Sequence, residues 1–289
     1  MPQSDISKPI IAIIAGELCF AVMGALIKYM SATLSTETIV FFRNSLALCI
    51  IIPILMNQLG SSGFRSKQMS LHVVRGLIGV TAMSCFFYIL GRMHFTEAIL
   101  LKLCTPFFIP LIAIIWLRER SSATTWFAIA LGFLGVAIIS EPKIRDTGTQ
   151  GFDDLTLVAI GLLGACLAAL AKVTIRRMGH DEPAIRTVFY FGFFASLASL
   201  PLAIRNWTAP NLEQWLLLFC LAAVATAGQL LVTYAYKRAA AGKIGQYTYT
   251  SLLFTAFIGW AFWGETITLA ILLGSACVII AGIINLRSK

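Results

Sequence analysis

The chain has 289 residues, of which 58% are hydrophobic and only 12% are charged. A soluble domain carries about twice that share of charge, so this composition excludes a soluble globular protein. The net charge is +9, but the basic residues cluster in short loops between apolar blocks, a pattern typical of topology signals facing anionic lipid and not of nucleic-acid binding.

Apolar blocks of about 20 residues, the length that spans a hydrocarbon core, recur from one end of the sequence to the other. We predict an all-α membrane protein with ten transmembrane helices. In chain order the predicted spans are 9–30, 36–58, 71–91, 97–117, 122–140, 154–175, 184–204, 212–236, 244–263 and 267–286. The first block has no small-residue cleavage site, so we interpret it as a span and not as a signal peptide.

Lysine and arginine residues in the loops predict the orientation of the spans. With the N-terminus inside, twelve basic residues lie on the inner side and five on the outer side. We therefore expect a multi-pass protein of the cell's inner membrane with both termini in the cytoplasm.

The two halves of the sequence resemble each other at an offset of 146 residues, which aligns Tyr88 with Tyr234 and Glu119 with Glu265. Chance similarity among apolar segments is the alternative. The acidic connection at 141–154 is the longest, so we place the joint there and predict repeats at 1–146 and 147–289. Five spans per repeat is an odd number, so the second repeat must be inverted, a plan that places substrate between the repeats near the midplane.

The two aligned glutamates, Glu119 and Glu265, follow spans four and nine. We expect them to hold loop amides or helix N-termini as structural or gating groups.

Several short motifs carry a family resemblance. They are Thr-Pro-Phe-Phe-Ile-Pro110, Trp-Leu-Arg-Glu119-Arg, Gly132-Phe-Leu-Gly135 and Trp263-Gly-Glu265-Thr. Together they resemble the EamA domain of the drug/metabolite transporter superfamily, present as two tandem copies over nearly the whole chain. The motifs identify the family better than they identify a substrate.

The resemblance implies ten helices around a central cavity and alternating-access transport of a small metabolite. Members of the family move amino acids, nucleotide-like compounds, S-adenosylmethionine, vitamins and drugs. One departure from the family pattern lies in the ninth span, where Leu252 and Ala256 replace the counterparts of Pro106 and Pro110. We therefore expect no proline kink there.

Three of the charged residues within predicted spans are candidates for a substrate site, because an ionised group in hydrocarbon needs water or a partner. Glu17 lies near the middle of span one, and we predict a cavity-facing carboxylate that binds a cation or a proton; a structural ion pair is the alternative. Arg43 and Lys102 lie in spans two and four. They can hold a substrate carboxylate or phosphate, or pair with Glu17. The structural alternatives are an interhelical bridge for Arg43 and snorkelling for Lys102.

Polar and aromatic residues in the later spans are candidates for a cavity wall. Gln229 lies in span eight, and Tyr247 and Tyr249 lie in span nine. Hydrogen bonding between helices and interfacial anchoring are the alternatives. Tyr88 and Trp260 can stack on an aromatic or cationic substrate, although single aromatic residues more often pack.

Four other basic residues are expected to serve the membrane interface. Lys28 and Lys172 lie near opposite ends of aligned helices, and we expect both to snorkel. Arg75 and Arg186 lie near the starts of inner-face helices, where we expect them to anchor to headgroups.

The function classes narrow to secondary transport. The sequence has scattered histidines and no H-E-x-x-H, G-x-S-x-G or P-loop motif, which disfavours an enzyme or an ATP-driven pump; we expect no cofactor and no metal. A carboxylate with two cations suits a zwitterion such as an amino acid, moved with protons or by exchange. The alternatives are efflux of drugs or excess metabolites and, more remotely, a scaffold. The expected partners are a small-molecule substrate and lipid, but not nucleic acid, for a monomer or homodimer.

Overall fold

A computed structural model describes residues 7–116, 123–145, 149–178, 182–238 and 245–287. These residues form helices and no strands. The α-helices are α1 (Ser7–Met30), α2 (Thr36–Leu59), α3 (Met69–Leu90), α4 (Phe95–Lys102), α5 (Thr105–Trp116), α6 (Ala123–Arg145), α7 (Thr149–Met178), α8 (Ala184–Arg205), α9 (Leu212–Arg238), α10 (Thr250–Trp263) and α11 (Leu269–Arg287). Two 3-10 helices lie at Gly60–Phe64 and Gly245–Tyr249.

Among the described residues, seven helical stretches are long and apolar enough to cross a membrane, judged by length and composition. They are Ser7–Met30, Thr36–Phe64, Met69–Leu90, Phe95–Trp116, Asp154–Ile175, Ile185–Arg205 and Leu212–Val232. Two shorter apolar stretches are Ala123–Ile138 and Leu269–Ile284. Helices suit hydrocarbon because they satisfy their own backbone groups. The predicted all-α class is confirmed for the described residues, whereas ten crossing helices in two inverted repeats stay a prediction.

Helices from the two halves of the sequence pack against each other. α1 packs on α9, α2 on α8, α3 on α7, and α6 on α11. The largest buried core cluster runs through these contacts, and it includes the fully buried rings of Phe87, Phe95 and Phe107. The halves are therefore interleaved and do not form two separate bodies.

The fourth predicted span is broken inside the bundle. α4 ends at Lys102 and α5 begins at Thr105. Pro106 has no N–H to donate to the carbonyl of Lys102 four residues earlier, and the Thr105 hydroxyl donates to that carbonyl instead, at 2.6 Å. The break therefore follows from the local sequence, and it leaves Lys102 at the end of a short helix.

The ninth predicted span changes helix type although it lacks those prolines. The 3-10 helix Gly245–Tyr249 gives way to α10 at Thr250. The Ser251 hydroxyl donates to the carbonyl of Thr248 at 2.8 Å, which repeats the Thr105 contact at the same offset of 146 residues. A discontinuity therefore lies at matching places in the two halves.

The predicted connection at 141–154 is mostly helical, because α6 continues to Arg145 and α7 begins at Thr149. The predicted boundary at 146 and 147 and the predicted role of Glu119 lie outside the described residues.

Candidate functional site

One end of the bundle is organised around Glu265, and we call it the Glu265 end. A left-handed residue, Gly264 (φ 62°), ends α10 and lets the next residue turn back. The Glu265 carboxylate accepts Nζ of Lys28 at 3.0 Å and the backbone N–H groups of Phe95 at 2.5 Å and Thr96 at 3.3 Å. Burial acts to raise the pKa of Glu265, but these donors outweigh burial and hold the pKa below its ordinary value. The prediction that this glutamate holds a helix N-terminus is confirmed, since Phe95 begins α4.

The opposite end is organised around Glu182, and we call it the Glu182 end. This carboxylate accepts hydrogen bonds from the Ser66 hydroxyl and from Nη1 of Arg186, at 3.1 Å for the latter, and Nε2 of His72 lies 3.5 Å away. Burial acts to raise the pKa of Glu182, but the two hydrogen bonds outweigh it and hold the pKa below its ordinary value. Arg186 also donates to the carbonyl of Gly63 at 2.9 Å, so this end is tied together from three segments.

Between the two ends, α1 and α4 bring opposite charges together. Glu17 is buried, with 8% of its surface exposed, and interacts electrostatically with Lys102. The Lys102 ammonium lies 5.2 Å from the ring centroid of Phe20 and 5.1 Å from that of Phe86. Glu17 and Phe20 are three residues apart on α1 and share one face of it. The sequence suggested Arg43 or Lys102 as the partner of Glu17, and the structure places Lys102 beside it.

A third charged residue, Lys172 on α7, joins this cluster. Lys172 is exposed, yet its electrostatic neighbours are Glu17, Lys102 and Arg75, which lie on three other helices. Its ammonium group therefore faces the inside of the bundle. The expectation that Lys172 snorkels to the interface is wrong because its ammonium group interacts with charges on α1, α3 and α4. We call Glu17, Lys102 and Lys172 the central charge cluster.

Arg43 lies apart from that cluster, at the contact of α2 with α8. It is buried, with 9% of its surface exposed, and Nη1 donates to Oδ1 of Asn44 at 2.9 Å. The guanidinium lies 6.0 Å from the ring centroid of Phe191, and that of Arg75 lies 4.3 Å from the same centroid. Arg75 therefore points inward, and the expectation that it anchors to headgroups is wrong.

The remaining candidates lie in three places. Gln229 is partly buried on α9. Tyr247 packs beside the buried start of α1, in a cluster with Ile13, and Tyr249 is buried, 5% exposed, in the main core.

Two aromatic candidates lie at the periphery. Tyr88 is 36% exposed, lies 3.7 Å from the Arg92 guanidinium, and lines a pocket of about 280 Å³ at the Glu265 end. Trp260 is 63% exposed and contacts Phe257 with 6.1 Å between ring centroids. Neither residue joins the central charge cluster.

Two further predictions about basic residues are corrected. Lys28 does not snorkel, because it is bound to Glu265 and to the carbonyl of Met93 at 2.7 Å. Arg186 does not reach for headgroups, because it is held by Glu182. Sequence reasoning also missed the inward roles of Lys172 and Arg75. The signal was present, since an ionisable side chain within a span marks a candidate functional site by itself.

The chain matches known proteins over nearly its whole length. The model of the EamA-like transporter family matches twice, over residues 7–141 and 155–287. One solved structure shares the fold, with a TM-score of 0.66, 14% identity and 96% of each chain covered.

Similar proteins with curated names are transporters of different compounds. The pseudopaline exporter of Pseudomonas aeruginosa is 30% identical over 98% of this chain and 97% of its own length. The riboflavin transporter of Vibrio cholerae is 25% identical over 91% of this chain and 88% of its own. The S-adenosylmethionine uptake transporter of Rickettsia bellii is 22% identical over 91% and 87%. The three names agree on transport and differ in cargo.

Proposed function

Because the chain belongs to the EamA-like transporter family, we propose that it moves a small polar or zwitterionic metabolite, such as an amino acid or a related compound, by alternating access. The family and the named relatives make it an integral membrane transporter and not an enzyme. An ion gradient or exchange drives the proposed cycle, since the sequence has no P-loop for ATP.

The observation that carries this proposal is the central charge cluster at the break in span four. Discontinuous helices in transporters place helix ends and polar groups at the substrate. Glu17 supplies a site for an amino group or a proton, and Lys102 and Lys172 supply sites for a carboxylate. An ionised side chain at this depth raises the free energy of the protein unless it has a partner. The bundle supplies such partners only in part, and a charged substrate would supply the rest.

The pattern of helix contacts supports two repeats, at 1–146 and 147–289. Exchanging spans one to five with spans six to ten turns the contact of α1 with α9 into that of α7 with α3. The same exchange maps α2 on α8, and α6 on α11, onto themselves. Repeats of five spans lie in opposite orientations, and the proposed cavity lies between them.

We place the protein in the inner membrane with both termini in the cytoplasm. The Glu182 end is then cytoplasmic and the Glu265 end faces outward. This orientation follows from the excess of basic residues on the side of the N-terminus. Rocking of the two repeats about the central charge cluster would expose it to each side in turn.

Export is the second candidate for direction. The relative with 30% identity is named as an exporter, whereas the Rickettsia relative at 22% is named for uptake. Transport into inverted membrane vesicles, compared with right-side-out vesicles, separates the two. Accumulation that occurs only in inverted vesicles identifies export.

The decisive experiment combines a screen with flux. Purified protein is screened by thermal shift against metabolites, and the stabilising compounds are followed in reconstituted vesicles. We expect Glu17→Gln to abolish pH-driven flux without unfolding the protein, and Glu213→Gln, which alters an exposed carboxylate at the start of α9, to retain flux. Unchanged flux in Glu17→Gln would remove Glu17 from the coupling, and no flux of any stabilising compound would contradict transport.

A further inference from the structure

Two buried arginines face the same aromatic ring from different helices. Arg43 of α2 and Arg75 of α3 lie 6.0 and 4.3 Å from the ring centroid of Phe191 on α8. Both residues lie well inside their helices, about 10 Å from the nearer end at 1.5 Å per residue. The two guanidinium groups interact electrostatically with each other, so like charges are held close together inside the bundle.

Neither guanidinium is fully satisfied by the described residues, although Nη1 of Arg43 donates to Asn44. Nε of Arg43, and Nε and Nη1 of Arg75, are buried without a hydrogen-bond acceptor. Buried charges in proteins are almost always paired. The Glu182 carboxylate is already committed to Ser66 and Arg186. An unpaired arginine couple is therefore an incomplete arrangement that calls for an anion.

The backbone leaves room for this arrangement. A β-carbon at Gly79, one turn from Arg75 on α3, would lie 2.2 Å from Nη1 of Arg75 and 2.8 Å from the ring of Phe191. The guanidinium therefore occupies space that only glycine leaves free. Phe191 gives the planar guanidinium of Arg75 a face to stack on, which fixes its direction.

Resting on the proposed function, we propose that Arg43 and Arg75 form an anion-binding subsite that takes a carboxylate or phosphate group of the transported substrate. A guanidinium presents a planar fork that matches the two oxygens of such a group. We call Arg43, Arg75 and Phe191 the arginine subsite.

The arginine subsite is continuous with the central charge cluster. Lys172 interacts with Arg75 on one side and with Glu17 and Lys102 on the other. Along this path, four cationic side chains accompany one carboxylate within the described residues. The substrate therefore carries more negative than positive charge, with one anionic group at the lysines and a second at the arginines.

Thermal shift with defined anions tests this inference. Sodium phosphate and sodium glutarate are compared with sodium chloride at equal ionic strength, in wild type, Arg75→Met, Gly79→Ala and Arg92→Met. We expect phosphate or glutarate to stabilise wild type and Arg92→Met, an exposed-arginine control, but neither Arg75→Met nor Gly79→Ala. Gly79→Ala keeps both arginines but displaces the guanidinium of Arg75 and the ring of Phe191 from their positions. No response in wild type, or an equal response in all four proteins, overturns the subsite.

A second readout separates the subsite from a structural role and from a lipid site. Without added anion, Arg75→Met keeps or raises the wild-type melting temperature, since it removes an unpaired buried charge; a lower one indicates a structural arginine and overturns the subsite. The same variants are then compared in lipid nanodiscs. If phosphatidylglycerol stabilises the protein in a way that requires Arg75, and glutarate does not, the bound anion is a lipid headgroup. That result also overturns the arginine subsite.

Flux distinguishes failure of the subsite from failure of the proposed function. For a dianionic substrate, Arg75→Met is expected to raise KM about tenfold or more. Transport by wild type with an unchanged KM in Arg75→Met contradicts the subsite and leaves the transporter function standing. A glutarate response that depends on Arg75, in a protein that transports none of the stabilising compounds, supports an anion site at the two arginines and contradicts the proposed function.

Discussion

The two ends of the bundle and its middle treat buried charge differently. Glu265 is hydrogen-bonded by Lys28 and by two backbone N–H groups, and Glu182 by Ser66 and Arg186. In the middle, Glu17 faces two lysines, and the buried guanidinium of Arg75 keeps two nitrogens without an acceptor. Paired charges hold a structure together, whereas incompletely paired charges lower stability and await a ligand. We therefore expect the ends to serve the fold and the middle to serve transport.

The largest expected effect is the loss of transport in Lys102→Met. Removing this ammonium leaves Glu17 without its partner across α1 and α4 and takes away a substrate contact, so flux should fall on the order of a hundredfold. Flux in reconstituted vesicles and the melting temperature are measured together. Flux close to wild type would show that the middle, like the ends, carries structural charge.

The matching substitution at an end, Lys28→Met, should act on stability. It removes the ion pair of a carboxylate that is 8% exposed, and the free energy of unfolding should fall by about 2–3 kcal/mol. Chemical denaturation in mixed micelles measures the loss, and flux per folded molecule is measured in the same preparation. If Lys28→Met is as stable as wild type but has lost transport, Lys28 acts like the central charge cluster, and the distinction between the ends and the middle is wrong.

Acid should weaken the two ends through Glu265 and Glu182. Each pKa is lower in the folded protein than the ordinary value of 4.5, so each carboxylate stabilises the fold fully above that value. The contribution is lost as pH falls through the lowered folded value. Melting temperature against pH should drop by an amount worth about 1–2 kcal/mol in this acid window, and by less in the double variant Glu265→Gln/Glu182→Gln. An equal drop in the double variant would assign the acid sensitivity to other groups.

The smallest effect is expected for Arg92→Ala, an exposed charge at the Glu265 end. Its guanidinium stacks on Tyr88 at 3.7 Å, and exposed cation–π contacts are worth about 0.5–1 kcal/mol. A melting temperature close to that of wild type is the expected result. A loss as large as that of Lys28→Met would mean that burial does not decide which charges stabilise the ends.

The helices could be predicted from the sequence because hydrocarbon imposes long apolar blocks on any chain that crosses it. The break at Lys102 could also be located, since Pro106 removes the N–H that its carbonyl needs. The change of helix type before Thr250 could not be located from the sequence, because no proline marks it. The Ser251 hydroxyl contact that accompanies it is visible only in the structure.

The site was only partly predictable. Glu17, Arg43 and Lys102 stand out as charges within spans, but their partners depend on helix rotation and packing. Lys28 lies 237 residues from Glu265, and no local pattern connects the two. Arg75 lies near the start of its predicted span, where an interface anchor is the natural expectation. The space at Gly79 and the ring of Phe191 turn its guanidinium inward.

The Glu265 carboxylate has a consequence for how its end of the bundle can open. One group joins the last turn of α1, the first turn of α4 and the turn after α10, so none of these segments can move away without freeing the others. We expect separation at this end to be all-or-none, because a half-released carboxylate would lose its donors before water could replace them. We expect a gate of that kind to be partly open only briefly, which would limit leakage of ions while the substrate crosses.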